Sequence, residues 1–164
     1  MNRAVFLDRD GTINENVGYC SKVEDFHIFP WTLEAVKLLK SLGFKLVVIT
    51  NQSGVGRGLF TLEILNLIHQ EMLRQLPLDA VLFCPHVPEG SCNCRKPRLG
   101  MIKTVKVEYN IDLEYSYVIG DMDEVDGVLG RRLGCKTFIV DGFFTLLDAA
   151  KEIERIERKN TVPR

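Results

Sequence analysis

Short uninterrupted apolar runs alternate along the chain with longer stretches whose apolar residues recur every three or four positions. The first pattern suits strands covered on both faces, and the second suits the helices that cover them. Residues 3–8 make the first run, with Ala4, Val5, Phe6 and Leu7 in succession. Four more runs follow at 44–50, 80–84, 115–120 and 136–140. Leu33, Val36, Leu39 and Leu42 predict a helix over 31–42, opened by Pro30 and stopped by Gly43. Further helices are predicted near 61–76, 99–109 and 124–133, and a closing helix carries Leu146, Leu147, Ala150, Ile153 and Ile156 on one stripe. Residues 11–29 hold Gly11, Gly18 and polar side chains without a sustained period, which reads as a loop or small flap. Repeated strand–helix alternation predicts an α/β fold: a Rossmann-like three-layer sandwich on a central parallel sheet of about five strands. The expectation is a single domain over 1–164, too short to carry a large cap domain.

Composition narrows the partners. The chain has 164 residues, 46% hydrophobic and 26% charged, which suits one core. Its net charge of −1 and pI near 6.3 provide no general positive field, so neither nucleic acid nor a membrane is expected as a partner. Any anion must be held by local groups. No apolar stretch approaches the roughly 20 residues needed to span a bilayer, and the N-terminus lacks the apolar core of a signal peptide. A cytoplasmic location is expected, and the reading favours a monomer. Of the five cysteines, Cys84, Cys92 and Cys94 crowd around His86, a distribution that suggests metal before disulfides. Cys20 and Cys135 read as plain small side chains, and His27 and His69 belong to no partner pattern.

In open parallel sheets ligands lie beyond the carboxyl ends of the strands. Those ends carry Asp8-Arg-Asp10-Gly-Thr12, then Thr50-Asn51-Gln52-Ser53, then Cys94-Arg95-Lys96-Pro97, then Gly120-Asp121-Met-Asp123. Asp8 and Asp10 with Asp121 offer an oxygen-rich pocket for a hard cation such as magnesium, which commonly takes one or two carboxylates and substrate phosphate. With the phosphate charge screened, Asp8 is suited to attack phosphorus and form an aspartyl phosphate. Asp10 is placed to protonate the leaving oxygen and later to take a proton from water. Thr50 and Lys96 suit the equatorial phosphoryl oxygens, where transition-state charge is spread. Separately, Cys84-x-His86-x5-Cys92-x-Cys94 supplies three sulfurs and one imidazole, the donor set of a closed structural zinc site placed just before Arg95 and Lys96.

The four ordered motifs, Asp8-x-Asp10-Gly-Thr, Thr50, Lys96 and Gly-Asp121, resemble those of the haloacid dehalogenase superfamily. Within it, residues 3–141 are similar to the heptose 1,7-bisphosphate 7-phosphatase family, on Phe6-Leu-Asp-Arg-Asp-Gly-Thr-Ile-Asn14, Thr50-Asn-Gln-Ser-Gly-Val-Gly-Arg-Gly58, Cys84-Pro-His86 and Cys92-Asn-Cys94-Arg-Lys-Pro97. The histidinol-phosphatase domain shares most of these pieces. The resemblance implies a phosphatase acting on the 7-phosphate of the heptose bisphosphate, with histidinol phosphate or another small sugar phosphate as the alternative substrate. It further implies magnesium on Asp8, Asp10 and Asp121, and substrate contacts from Asn16, Val17, Gly18, Tyr19, Thr50, Asn51, Gln52, Ser53, Arg95 and Lys96. A DNA-end phosphatase and a non-catalytic zinc scaffold are the readings from other classes. Two positions depart from the heptose pattern. Met122 stands where a lysine usually follows the fourth-motif aspartate, and Val125 stands where the second acid usually falls, with Asp126 one residue further on and Asp123 as an alternative.

Overall fold

The computed structural model describes residues 1–161, so 162–164 of the expected 1–164 domain lie outside the described residues. Five strands, β1 (Ala4–Leu7), β2 (Lys45–Asn51), β3 (Ala80–Cys84), β4 (Tyr117–Gly120) and β5 (Lys136–Ile139), form one sheet in the order β3-β2-β1-β4-β5. Every pairing is parallel, with Phe6 opposite Val47 on one side and Val118 on the other. Six α-helices among the described residues complete the layers: α1 (Thr32–Ser41), α2 (Ser53–Gly56), α3 (Leu62–Gln75), α4 (Gly100–Glu108), α5 (Val128–Leu133) and α6 (Leu146–Thr161).

The two-residue period of a strand divides the unbroken apolar runs between the faces of the sheet. Val5 and Leu7 of β1 join Val48 of β2 and Ile119 of β4 in one core with Val36, Leu39, Ile68, Met72, Ala150 and Ile153 of α1, α3 and α6. Ala4 and Phe6, with Val47, Ile49 and Val118, pack on the other face against Met101, Ile102, Val105 and Leu129 of α4 and α5. This is the expected three-layer α/β sandwich, and β1 at its centre is buried at every position. Burying one such aliphatic side chain contributes about 1.5–3 kcal/mol.

The ends of α1, α3 and α4 agree with the periodicity to within a residue. Thr61 caps α3 by accepting a hydrogen bond from the Ile64 amide at 3.2 Å. The stretch 11–29 folds back on itself as a small flap, with an antiparallel bridge between Asn14 and Ile28 at its base and a 3₁₀ turn, Val23–Asp25, inside it. Among the described residues no insertion forms a separate cap, and no helix is long and apolar enough to cross a membrane. The predicted helix at 124–133 is split. Its first part, Asp123–Gly127, is a wide π turn in which the Met122 carbonyl accepts from the Asp126 amide at 2.7 Å and the Gly127 amide at 3.4 Å.

Candidate active site

The carboxyl ends of β1, β2 and β4 open into a cleft of about 220 Å³, which the segment after β3 completes; Asp8, Asp10, Thr50, Lys96, Asp121 and Asp126 all line it. Its centre is Lys96. The Lys96 Nζ donates to Asp8 Oδ1 at 2.7 Å and to Asp126 Oδ1 at 2.8 Å, while the residue itself is only 4% exposed. Burial works against the ammonium, but the Asp8 and Asp126 carboxylates more than offset it and hold its pKa above the usual lysine value. Asn51 fixes the lysine backbone from both sides, accepting from the Lys96 amide at 2.9 Å and donating to the Lys96 carbonyl at 3.1 Å.

Oxygens of Asp8, Asp121 and Asp126 lie within 4.8 Å of one another. Burial, and then the neighbouring Asp8 charge, push the Asp121 carboxyl up to about 7. Burial raises Asp126 as well, with Lys96 pulling in the opposite direction. Three carboxylates converging at the cleft, with Asp121 and Asp126 raised by burial, have the charge and donor chemistry of a site for a hard divalent cation. The carboxylate of Asp10, expected to share the cation with Asp8 and Asp121, is not in this cluster. It is held instead by Arg9, whose Nη2 lies 2.9 Å from both oxygens, by Asn14 Nδ2 at 2.9 Å and by Gln52 Nε2 at 2.8 Å. The third carboxylate of this cluster belongs to Asp126, and Asp10 lines the same cleft.

Two glycines make room for these acids. Gly11 adopts φ +85°, and a Cβ there would lie 2.2 Å from Asp121 Oδ2. At Gly120 a Cβ would lie 2.2 Å from the carboxyl carbon of Asp126.

Other predicted contacts separate into two groups. Asn16, Gly18, Asn51 and Arg95 line the cleft with Thr50, whereas Val17 and Tyr19 stand on the flap, each 47% exposed. Gln52 is buried, and its amide bridges Asp10 and the Thr50 hydroxyl at 2.8 Å each, so it positions the site from behind; Ser53 begins α2 beside it. Sequence reasoning passed over Arg9, which is fully buried, and His69, whose Nε2 lies 3.2 Å from Arg9 Nη1. A signal was present: His69 occupies an apolar position of α3, between Leu65 and Met72 on its buried stripe.

Immediately before Lys96, the donors of Cys84, His86, Cys92 and Cys94 also lie within 4.8 Å of one another. Cys84 Sγ is 3.6 Å from Cys92 Sγ and 3.1 Å from Cys94 Sγ, and His86 Nδ1 is 3.5 Å and 3.2 Å from the Cys84 and Cys94 sulfurs. Donors at ordinary zinc distances around one tetrahedral centre would stand about 3.5–3.8 Å apart; the 3.6 Å and 3.5 Å separations match that spacing, and the two to Cys94 are shorter. A larger opening of about 580 Å³ lies beside this cluster, between β3 and α4. It is lined by no carboxylate, lysine or arginine, so phosphoryl chemistry belongs to the smaller cleft.

Known proteins resemble this chain in sequence and fold. The polynucleotide kinase 3 phosphatase family matches residues 4–126 and the HAD-hydrolase-like family matches residues 93–161. The D-glycero-beta-D-manno-heptose-1,7-bisphosphate 7-phosphatase of Yersinia pestis is 39% identical over 152 residues, covering 85% of this chain and 81% of that one. Its counterpart in Helicobacter pylori is 44% identical over 128 residues, covering 74% of each chain. Among solved structures, the D,D-heptose bisphosphate phosphatase of B. bronchiseptica, complexed with magnesium and phosphate, superposes with a TM-score of 0.85 at 30% identity, covering 94% of this chain and 99% of that chain. The chain thus belongs to the haloacid dehalogenase-type phosphatases, matching the polynucleotide kinase 3 phosphatase family model and standing among the heptose-1,7-bisphosphate 7-phosphatases.

Proposed function

We propose that this protein hydrolyses the 7-phosphate of D-glycero-D-manno-heptose 1,7-bisphosphate, in the cytoplasm, through a phosphorylated Asp8. The observation that carries the reading is the meeting of Asp8, Lys96, Asp121 and Asp126 in one cleft at the strand ends. In the first step an Asp8 oxygen forms a bond to phosphorus while the bond from phosphorus to the sugar oxygen breaks. Asp10 gives its proton to that departing oxygen. In the second step Asp10 takes a proton from water, the water oxygen bonds to phosphorus, and the Asp8–phosphorus bond breaks to release inorganic phosphate. Lys96 and Thr50 hold equatorial phosphoryl oxygens through both steps. The carboxylates of Asp8, Asp121 and Asp126 would hold magnesium, which when bound would supply neutralisation and orientation of the phosphoryl group. The Asn16 to Tyr19 flap and Arg95 meet the sugar side. Cys84, His86, Cys92 and Cys94 would hold a zinc ion in a structural role, tying down the loop from which Arg95 and Lys96 reach the cleft.

The polynucleotide kinase 3 phosphatase match raises a second substrate class, DNA or RNA ends. The net charge of −1 favours the sugar phosphate. Phosphate release from heptose bisphosphate, histidinol phosphate and a 3′-phosphorylated oligonucleotide separates the substrates, with fastest turnover expected on the first. Asp8→Asn is expected to abolish turnover with the thermal unfolding profile intact. A variant that still turns over would remove Asp8 as nucleophile, and preferred turnover of either other substrate would overturn the heptose assignment.

A further inference from the structure

Arg9 sits between the two catalytic aspartates in sequence and is fully buried. A guanidinium carries five N–H donors and no acceptor, so each buried N–H needs an acceptor brought to it. Nε and Nη2 are taken up by Asp10, at 3.1 Å and 2.9 Å from Oδ1 and 2.9 Å from Oδ2. Nη1 points the other way, across to α3, where His69 Nε2 lies 3.2 Å away. His69 is itself only 5% exposed and packs its ring 5.5 Å from that of Phe83. Since the guanidinium has nothing but hydrogens to offer, Nε2 must be the bare nitrogen and the His69 proton must sit on Nδ1. Burial, and then the Arg9 charge, hold the imidazole neutral by lowering its pKa to about 4. A lysine or arginine at 69 would repel Arg9, and an aliphatic residue would leave Nη1 with no acceptor.

We infer that His69 is a positioning residue for general acid–base catalysis: by anchoring the far end of the Arg9 guanidinium it fixes the carboxylate of Asp10 at the leaving oxygen. The geometry makes the link direct. Arg9 grips Asp10 with two nitrogens of one rigid plane and His69 with the third, so a guanidinium released at Nη1 turns and carries the Asp10 carboxylate with it. Lys96 bonds to Asp8 and Asp126 and not to Arg9, His69 or Asp10, so the nucleophile's own contacts are left in place; Thr50 meets the chain only through the Gln52 amide, 2.8 Å from both its hydroxyl and Asp10.

The inference rests on Asp10 acting as the acid and base, and the test separates the two claims. Heptose bisphosphate has an alkoxide leaving group that needs a proton, whereas the phenolate of p-nitrophenyl phosphate departs without one. kcat/KM for each substrate is compared in the wild type, His69→Leu, His69→Gln, Arg9→Lys and Asp10→Asn. A misplaced general acid loses part of its roughly 100- to 10,000-fold contribution, so His69→Leu is expected to lower kcat/KM about 10- to 100-fold on the sugar phosphate and less than about threefold on the aryl phosphate. His69→Gln, which restores an acceptor oxygen, recovers most of the loss. Arg9→Lys, which keeps the charge but cannot grip two partners in one plane, shows the same discrimination as His69→Leu and serves where the leucine variant does not fold. Parallel losses on both substrates in the His69 and Arg9 variants, or no rescue by glutamine, would overturn the positioning role while Asp10→Asn still discriminates. If Asp10→Asn itself slows both substrates alike, the assignment of Asp10 as the acid has failed.

Discussion

Lys96→Met tests whether the cleft is an electrostatic unit. Its Nζ bridges Asp8 at 2.7 Å and Asp126 at 2.8 Å, with Lys96 4% and Asp126 2% exposed. Removing one partner of a buried pair costs about 3–5 kcal/mol, because a charge is left without compensation. Here Asp126 has an escape. Burial already raises its pKa, with Lys96 as the main opposing influence, so in the variant it takes up a proton and limits the loss to about 3 kcal/mol. With a urea m-value of about 2 kcal/mol/M, the midpoint in magnesium-free buffer should fall by about 1.5 M. Adding Asp126→Asn to Lys96→Met removes the stranded charge, so the double variant should recover most of that shift; the double-mutant cycle isolates the coupling. Magnesium should stabilise Lys96→Met more than the wild type, since the cation meets the same carboxylates without the ammonium opposing it. A midpoint shift below about 0.5 M, or a double variant as unstable as the single, would refute the idea that Lys96 holds the acids together.

Two further outcomes follow from groups outside that triad. Cys92→Ser removes one of four clustered donors, and metal analysis is expected to show zinc falling well below one ion per chain together with turnover; full activity without zinc would separate the loop from catalysis. His69 has its pKa lowered from 6.5 to about 4 by burial and then by Arg9, so the folded state needs the neutral ring. Its contribution is complete above pH 6.5 and is lost as pH falls toward 4, about 3 kcal/mol in all. The urea midpoint of the wild type should therefore fall relative to that of His69→Gln between pH 7 and pH 4.5, and a constant difference would show that the ring is not buried neutral.

Much of this was legible in the chain because the fold and the chemistry speak in different patterns. β1 is buried on both faces, and Ala4, Val5, Phe6 and Leu7 announce it without interruption. Asp8, Thr50 and Asp121 stand out because they end such runs. What stayed hidden depends on pairing across distance. Arg9 reads as an ordinary charge between two aspartates until α3 brings His69 to its far end, sixty residues away in sequence. Gln52 and Asn51 read as substrate contacts in their motif, and the structure adds bonds from their amides to Asp10, Thr50 and the Lys96 backbone, with Asn51 also lining the cleft. Nothing local distinguishes an amide that faces a ligand from one that faces a neighbour.

The fourth motif shows which departures from a pattern carry chemical weight. Asp126 lies one residue later than the family spacing, which in a regular helix would rotate its carboxylate by about 100° away from the cleft. The π turn Asp123–Gly127 absorbs the extra residue: the Met122 carbonyl reaches the Gly127 amide five residues on, and Asp126 Oδ1 arrives 2.8 Å from Lys96. Glycines make the widened turn possible, since a Cβ at Gly127 would lie 1.9 Å from Asp123 Oδ1 and one at Gly120 would strike Asp126. Asp123 therefore does not substitute for Asp126; it pairs with Arg131 at the surface, 3.0 Å away. Met122 is different. It lines the cleft and is 49% exposed, where no change of helical winding restores a missing ammonium. The π turn thus carries the Asp126 carboxylate to Lys96, while Met122 places an uncharged side chain on the rim of the cleft.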